Sequence, residues 1–146
     1  MKGLHRLFLT FALCTVALTG IVASSETKGI SWTEDVDQAF KTAEETGRPM
    51  VIFVTMDGCV YCTKMKKTTL SNPQMITRLN DDTIPIYIHR SRNAEWVRRF
   101  RIKTFPTTLF VTPDGKIQDR VVGFMGLDAM QQRVSRVQKK ADSSQP

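Results

Sequence analysis

The sequence predicts an α/β domain in which a mixed four-stranded sheet is covered by helices on both faces. Three observations carry this. The run MVIFVT, residues 50–55, is a continuous β-branched and aromatic stretch of strand length, the pattern of a strand buried on both sides. Further runs of that kind alternate along the chain with amphipathic helical patterns, which places strands side by side with helices packed across them. The turn PDGK, residues 113–116, joins the last two strands as a hairpin.

Each element has its own signal. Ser31 followed by Glu34 has the spacing of a capping box. Val36, Ala39, Phe40 and Ala43 then fall on one helical face, and Gly47 and Pro49 end the helix before the first strand. After CVYC the segment VYCTKMKKTTL has helix-forming content. NPQMITRLN supplies Asn72 as a cap, Pro73 at the first helical position and Met75, Ile76 and Leu79 as an apolar face. TIPIYIH, residues 83–89, is the second strand, and Pro85 places its start near a sheet edge because proline donates no ladder hydrogen bond. NAEWVRRF is a short helix, TTLFVT (107–112) the third strand and IQDRVVG the fourth. Leu127, Met130, Val134 and Val137 mark a closing amphipathic helix. Strands separated by helices are expected to pair in parallel, with the hairpin forming an antiparallel edge.

The 146 residues suit one domain with a real core, and 41% hydrophobic content agrees. The first residues are of another kind: Lys2 and Arg6, an apolar stretch from Leu7 to Val22, then small residues at Ala23 and Ser24. That order matches a secretory signal peptide over residues 1–24, with an uncleaved membrane anchor as the rival that the modest hydrophobicity and small-residue end disfavour. The domain is expected over 25–140 and a disordered tail over 141–146, after an opening KK that is already polar. The chain carries +7 at neutral pH, falling to about +5 once the leader is removed. Its basic residues are scattered, and the densest run, Arg98 to Arg101, has only Trp96 and Phe100 near it, both placed to pack inward. No nucleic-acid partner is expected. A catalytic serine triad, a phosphate loop and paired catalytic carboxylates find no support either.

Cleavage removes Cys14 and leaves Cys59 and Cys62 as the only thiols of an exported chain. A redox pair, a metal site and a structural staple are the possible uses. A staple is the weakest, since a bridge across two residues restrains little of the unfolded chain. A metal reading for Cu(I) would add Met56 or Met65, which recur with the cysteines every three residues and supply soft thioether ligands. Their bland reading is packing. His89, the one histidine left after cleavage, has no partner spaced for zinc and reads as a surface or strand-end residue. Placed between a buried strand and a helix, Cys59 falls at the helix N-terminus, where unpaired N–H groups favour a thiolate. Cys62, one turn further in, is placed to resolve a mixed disulfide.

The strand, C-x-x-C and helix, followed by FRIKTFPTTLFVTPDGKI and by Gly123 before the last helix, resemble the thioredoxin superfamily. The match runs over roughly residues 31–138. W…AF..A…RPM and C..C..M resemble the exported subgroup that includes the terminal domain of the periplasmic disulfide reductase carrier. The resemblance implies a thioredoxin fold and a monomeric thiol-disulfide oxidoreductase, periplasmic or secreted, exchanging disulfides with proteins and running as a reductase. It implies no cofactor, and a membrane-embedded electron donor as a further partner. It implies Cys59 and Cys62 as catalytic residues, a cis Pro106, and a substrate groove bordered by Tyr61, Phe105, Pro106 and Thr107.

Three positions depart from thioredoxin. Gly58 replaces a tryptophan, Val60-Tyr61 replaces Gly-Pro, and Phe53 stands where a buried aspartate relays protons to the second cysteine. Tyr61 resembles the tyrosine of periplasmic disulfide isomerases, which keeps isomerisation as an alternative. Asp57 either tunes the pair or terminates the strand.

Overall fold

Asp35, not Ser31, caps the first helix. In the computed structural model, which describes residues 29–143, α1 spans Val36–Thr46, and the Asp35 side chain accepts the Gln38 N–H at 3.0 Å. The expected capping box fails because its backbone is used elsewhere. The Thr33 N–H donates to the Pro85 carbonyl and its own carbonyl accepts from Tyr87, at 3.0 and 2.8 Å, so the segment lies along a sheet edge. The cap therefore passes to the next available carboxylate. Gly47, at φ 68°, ends α1 as expected. The expected signal peptide, 1–24, lies outside the described residues.

The elements that follow are β1 (Met50–Thr55), α2 (Val60–Lys67), α3 (Pro73–Asp82), β2 (Ile84–His89), α4 (Ala94–Arg99), β3 (Thr107–Val111), β4 (Ile117–Val122) and α5 (Leu127–Asp142). They form one mixed four-stranded sheet in the order β2-β1-β3-β4. β2 is an edge strand, as Pro85 indicated, and β1 pairs with it in parallel.

β3, however, runs antiparallel to β1, with Ile52 opposite Leu109 and Val54 opposite Thr107. This corrects the expectation that every helix-separated strand pairs in parallel. The reason is the course of the connection: residues 90–106, with only the six-residue α4, stay at the end of the sheet where β2 leaves it, and Thr107 stands opposite Val54. The chain re-enters the sheet at the end where it left, so β3 must run the other way.

β1 is buried throughout, with helices on both sides. Met50, Ile52 and Val54 pack with Val36, Ala39 and Ala43 of α1 and Trp96 of α4. Val51 and Phe53 share the opposite core with Cys62 and Met65 of α2, Met75 and Leu79 of α3, and Met130, Val134 and Val137 of α5. Each such fully buried side chain contributes about 1.5–3 kcal/mol, which accounts for the uninterrupted apolar run. α5 continues two residues past the expected boundary at 140, and Ala141 is buried on it. The start of the expected tail is therefore helical, because Ala141 extends the apolar stripe of Met130, Val134 and Val137 by one more turn. Residues 144–146 lie outside the described residues.

Candidate active site

Three connections meet at one end of the sheet. Thr55, the last residue of β1, is in register with His89, the last of β2, and Val54 is opposite Thr107, the first of β3. The loops leaving β1 and β2 and the loop entering β3 consequently converge there.

The loop after β1 turns at Gly58, whose φ of +68° is the left-handed region that side-chain-bearing residues avoid. No atom lies within 4 Å of where a Cβ would stand, so backbone sign, and not space, calls for glycine. The turn delivers Cys59 to the N-cap position of α2, where its Sγ accepts the Cys62 N–H at 3.1 Å. Cys59 and Cys62 are joined by a disulfide with their Cα atoms 5.2 Å apart. Their environments differ: Cys59 is half-buried, whereas Cys62 is only 1% exposed and belongs to the core that also holds Met65. The intervening Val60 and Tyr61 face solvent, at 76% and 60% exposure. Of the two soft residues flanking the pair, Met65 is wholly core and Met56 is half-buried.

The Phe105–Pro106 peptide bond is cis. Phe105 is half-buried and packs against both cores, and in the second it joins Cys59 at the edge of the cluster containing Cys62. The Pro106 carbonyl accepts the Gly123 N–H at 2.7 Å, which ties this loop to the end of β4. Thr107 is buried and its hydroxyl donates to the Thr104 carbonyl at 2.7 Å. Its side chain therefore serves its own loop and is not presented outward. Cys59, Cys62 and Phe105 are brought together; Tyr61 stands outside on α2.

Phe53 is fully buried against Trp32 and Tyr87, with ring centroids 6.1 and 6.0 Å away. The position that carries a carboxylate in thioredoxin is here the middle of an aromatic cluster, and Trp32 is a packing residue. Lys64, Lys66 and Lys67 are exposed, and Lys64 sits 4.6 Å from the Phe124 ring centroid.

His89 and Asp57 form a contact that spacing did not reveal. His89 is the strand-end residue expected, but it is buried and not on the surface. Its Nε2 lies 3.2 Å from Asp57 Oδ1 and its Nδ1 2.9 Å from Ser91 Oγ, while its backbone N–H donates to Asn93 Oδ1 at 2.9 Å. The imidazole thus links the β1–α2 turn to the β2–α4 loop, a pairing produced by strand register across 32 residues of sequence. Nearby, the hydrogen bonds from Arg92 hold the exposed Glu34 carboxyl below its ordinary value. Among the described residues no group of three His, Cys, Asp or Glu side chains is placed to hold a metal ion.

The family described as thioredoxin-like domain matches residues 36–138. The thiol:disulfide interchange protein DsbD of Salmonella typhimurium is 28% identical over 101 residues, covering 66% of this chain and 18% of that protein. DsbD of Pseudomonas fluorescens is 26% identical over 124 residues, covering 78% and 21%. The chain thus spans about a fifth of the length of these curated relatives. Among solved structures, a thioredoxin from Thermus thermophilus superposes with TM-score 0.69 at 22% identity, covering 79% of this chain and 92% of that one. A DsbH oxidoreductase gives 0.61 at 20% identity, covering 80% and 87%. These two likenesses concern the fold. Taken with the match over 36–138, they show that the chain belongs to the thioredoxin-like domain family.

Proposed function

We propose that this protein is an exported thiol-disulfide oxidoreductase that reduces disulfides in other proteins, with Cys59 attacking and Cys62 resolving. The observation that carries this is the asymmetry of the pair: Cys59 is accessible at the N-cap of α2, and Cys62 is buried one turn behind it. An attacking thiolate needs access and N–H donors, while a resolving thiol needs proximity and shielding.

In the forward direction the Cys59 thiolate attacks one sulfur of a client disulfide. A Cys59–client S–S bond forms, the client bond breaks, and the departing client sulfur leaves with the electron pair and takes a proton from solvent. Cys62 then loses its proton and attacks Cys59 Sγ. The Cys59–Cys62 bond forms, the second client thiol is released, and the client has gained two electrons. A dithiol donor returns the pair to the reduced state by the reverse exchange. By the resemblance, exposed Tyr61 and the Phe105–Pro106 backbone would border the groove that holds the client segment.

Reduction, in preference to oxidation or isomerisation, together with export and a membrane-embedded donor, is what the resemblance of W…AF..A…RPM and C..C..M to the exported reductase subgroup implies, while the likeness to thiol:disulfide interchange proteins supports disulfide exchange. The direction depends on a potential difference of which 30 mV is worth about 1.4 kcal/mol. Insulin reduction driven by dithiothreitol tests the activity. Wild type should accelerate precipitation of the insulin B chain and Cys59→Ser should not. A wild type that leaves the rate unchanged would end the proposal, and a copper carrier would instead lose Cu(I) on Met56→Ala.

A further inference from the structure

At the end of the sheet where Cys59 sits, an open cleft separates the segment leaving β2 from the segment entering β3. Its apolar lining is Ala94, Val97, Ile102 and Phe105, and three cations, Arg90, Arg98 and Lys103, stand on its walls. Ala94, Val97 and Arg98, at positions i, i+3 and i+4, line it from one face of α4. No acidic residue lines the cleft. The Arg90 guanidinium carbon lies 5.8 Å from the centroid of the Phe105 ring, so one cation is held directly over the residue that precedes Pro106.

Most cations among the described residues pair with no carboxylate, and these three are set apart by sharing one cleft that no acidic side chain lines. Arg78, Arg92, Lys116 and Arg133 each pair with a carboxylate within 4 Å, at 3.5, 2.8, 2.7 and 3.0 Å. Among the described residues Arg90, Arg98 and Lys103 pair with none. Three like charges around one cleft repel one another, and all lie within about a Debye length of a ligand in it, roughly 10 Å at 0.1 M salt. An anionic ligand would relieve that repulsion while its apolar parts cover Val97, Ile102 and Phe105. The cleft reaches the active end through Phe105, which precedes the cis Pro106 and packs against the same core cluster as Cys59. A polypeptide whose cysteine reaches Cys59 would therefore have its neighbouring residues in the cleft.

We infer that this cleft docks an acidic segment of the partner polypeptide, one in which Asp or Glu residues flank the reacting cysteine. The inference rests on the oxidoreductase proposal above and adds to it the charge of the substrate. Docking acts through encounter: complementary charge raises association rates by tenfold or more at low ionic strength and loses its hold as salt rises.

The test uses the full chain with its cysteines reduced and two synthetic disulfide-linked peptides that differ only in having Glu or Gln at three positions beside the cystine. The readout is the ratio of their second-order rates of reduction, followed by quenched alkylation and mass spectrometry. Wild type should favour the Glu peptide by about tenfold at low salt, with the ratio approaching one at high salt. Arg98→Glu/Lys103→Glu, two exposed positions whose folding is checked by circular dichroism, should invert the ratio. Equal rates in wild type, or a preference that survives charge reversal, would overturn the inference and leave the oxidoreductase proposal standing. Reduction of neither peptide would overturn both. An absent peptide preference together with wild-type binding to anionic phospholipid vesicles, abolished by charge reversal, would assign the cleft to a membrane surface and overturn it as well.

Discussion

The Sγ atom of Cys59 accepts the backbone N–H of Cys62 at 3.1 Å, so the residue proposed to attack caps the helix that carries the residue proposed to resolve. When the bond is reduced, the same N–H and the positive end of α2 face a sulfur able to carry charge. We predict that the reduced protein is alkylated by iodoacetamide at Cys59 well before Cys62, and faster at pH 7 than free cysteine. Peptide mapping after a timed quench checks the order. Equal labelling of the two residues would show that the cap does not select between them.

Gly58 is held at φ +68° with open space around it. Gly58→Ala should therefore destabilise by about 1 kcal/mol through backbone strain alone, with no steric clash to relax. Urea unfolding of the oxidised protein measures this. A tryptophan at the position, as thioredoxin has, should incur the same strain and not act as a restoration.

Phe53 packs against both Trp32 and Tyr87 in the core cluster that also holds Cys62. Phe53→Ala should cost about 3–5 kcal/mol from lost burial and the cavity left behind, and Phe53→Leu markedly less. Denaturant titration of both variants separates packing volume from aromatic contact.

The β3–β4 turn contains a pH-sensitive pair. The Lys116 ammonium, with Nζ 2.7 Å from Asp114 Oδ2, and then the Thr112 hydroxyl hold the Asp114 carboxyl down at about 2 from an ordinary 3.8. Because the folded value lies below the unfolded one, the contribution is fully present above the unfolded value and is lost as pH falls through about 2. Both groups are exposed, so the effect is small. The stability difference between wild type and Asp114→Asn should be constant at neutral pH, shrink as pH falls below about 4 and be lost only below about 2, as read from denaturant midpoints.

Much of this architecture is written in local pattern. MVIFVT announced a strand covered on both faces, Asn72-Pro73 a helix start, and PDGK a hairpin, and each stands where expected. The cysteines' position at the head of a helix was equally legible, because strand and helix signals flank them directly. What was hidden depends on long-range geometry. Ser31 lost its capping role because Thr33 pairs with a strand more than 50 residues away. The antiparallel β3 follows from a β2–β3 connection that stays at one end of the sheet, and the burial of His89 from the register that sets it beside Thr55. The cationic cleft is likewise invisible as a sequence run, since Arg90, Arg98 and Lys103 meet only through the fold.

Trapping the mixed disulfide tests the central claim most directly. Cys62→Ser and Cys59→Ser, each reduced, are mixed with a disulfide-bonded protein such as insulin, quenched with acid and weighed intact by mass spectrometry. The account predicts a persistent covalent adduct for Cys62→Ser, linked through Cys59, and little or none for Cys59→Ser, whose remaining thiol is buried. Adducts formed equally by both variants, or by Cys59→Ser alone, would contradict it.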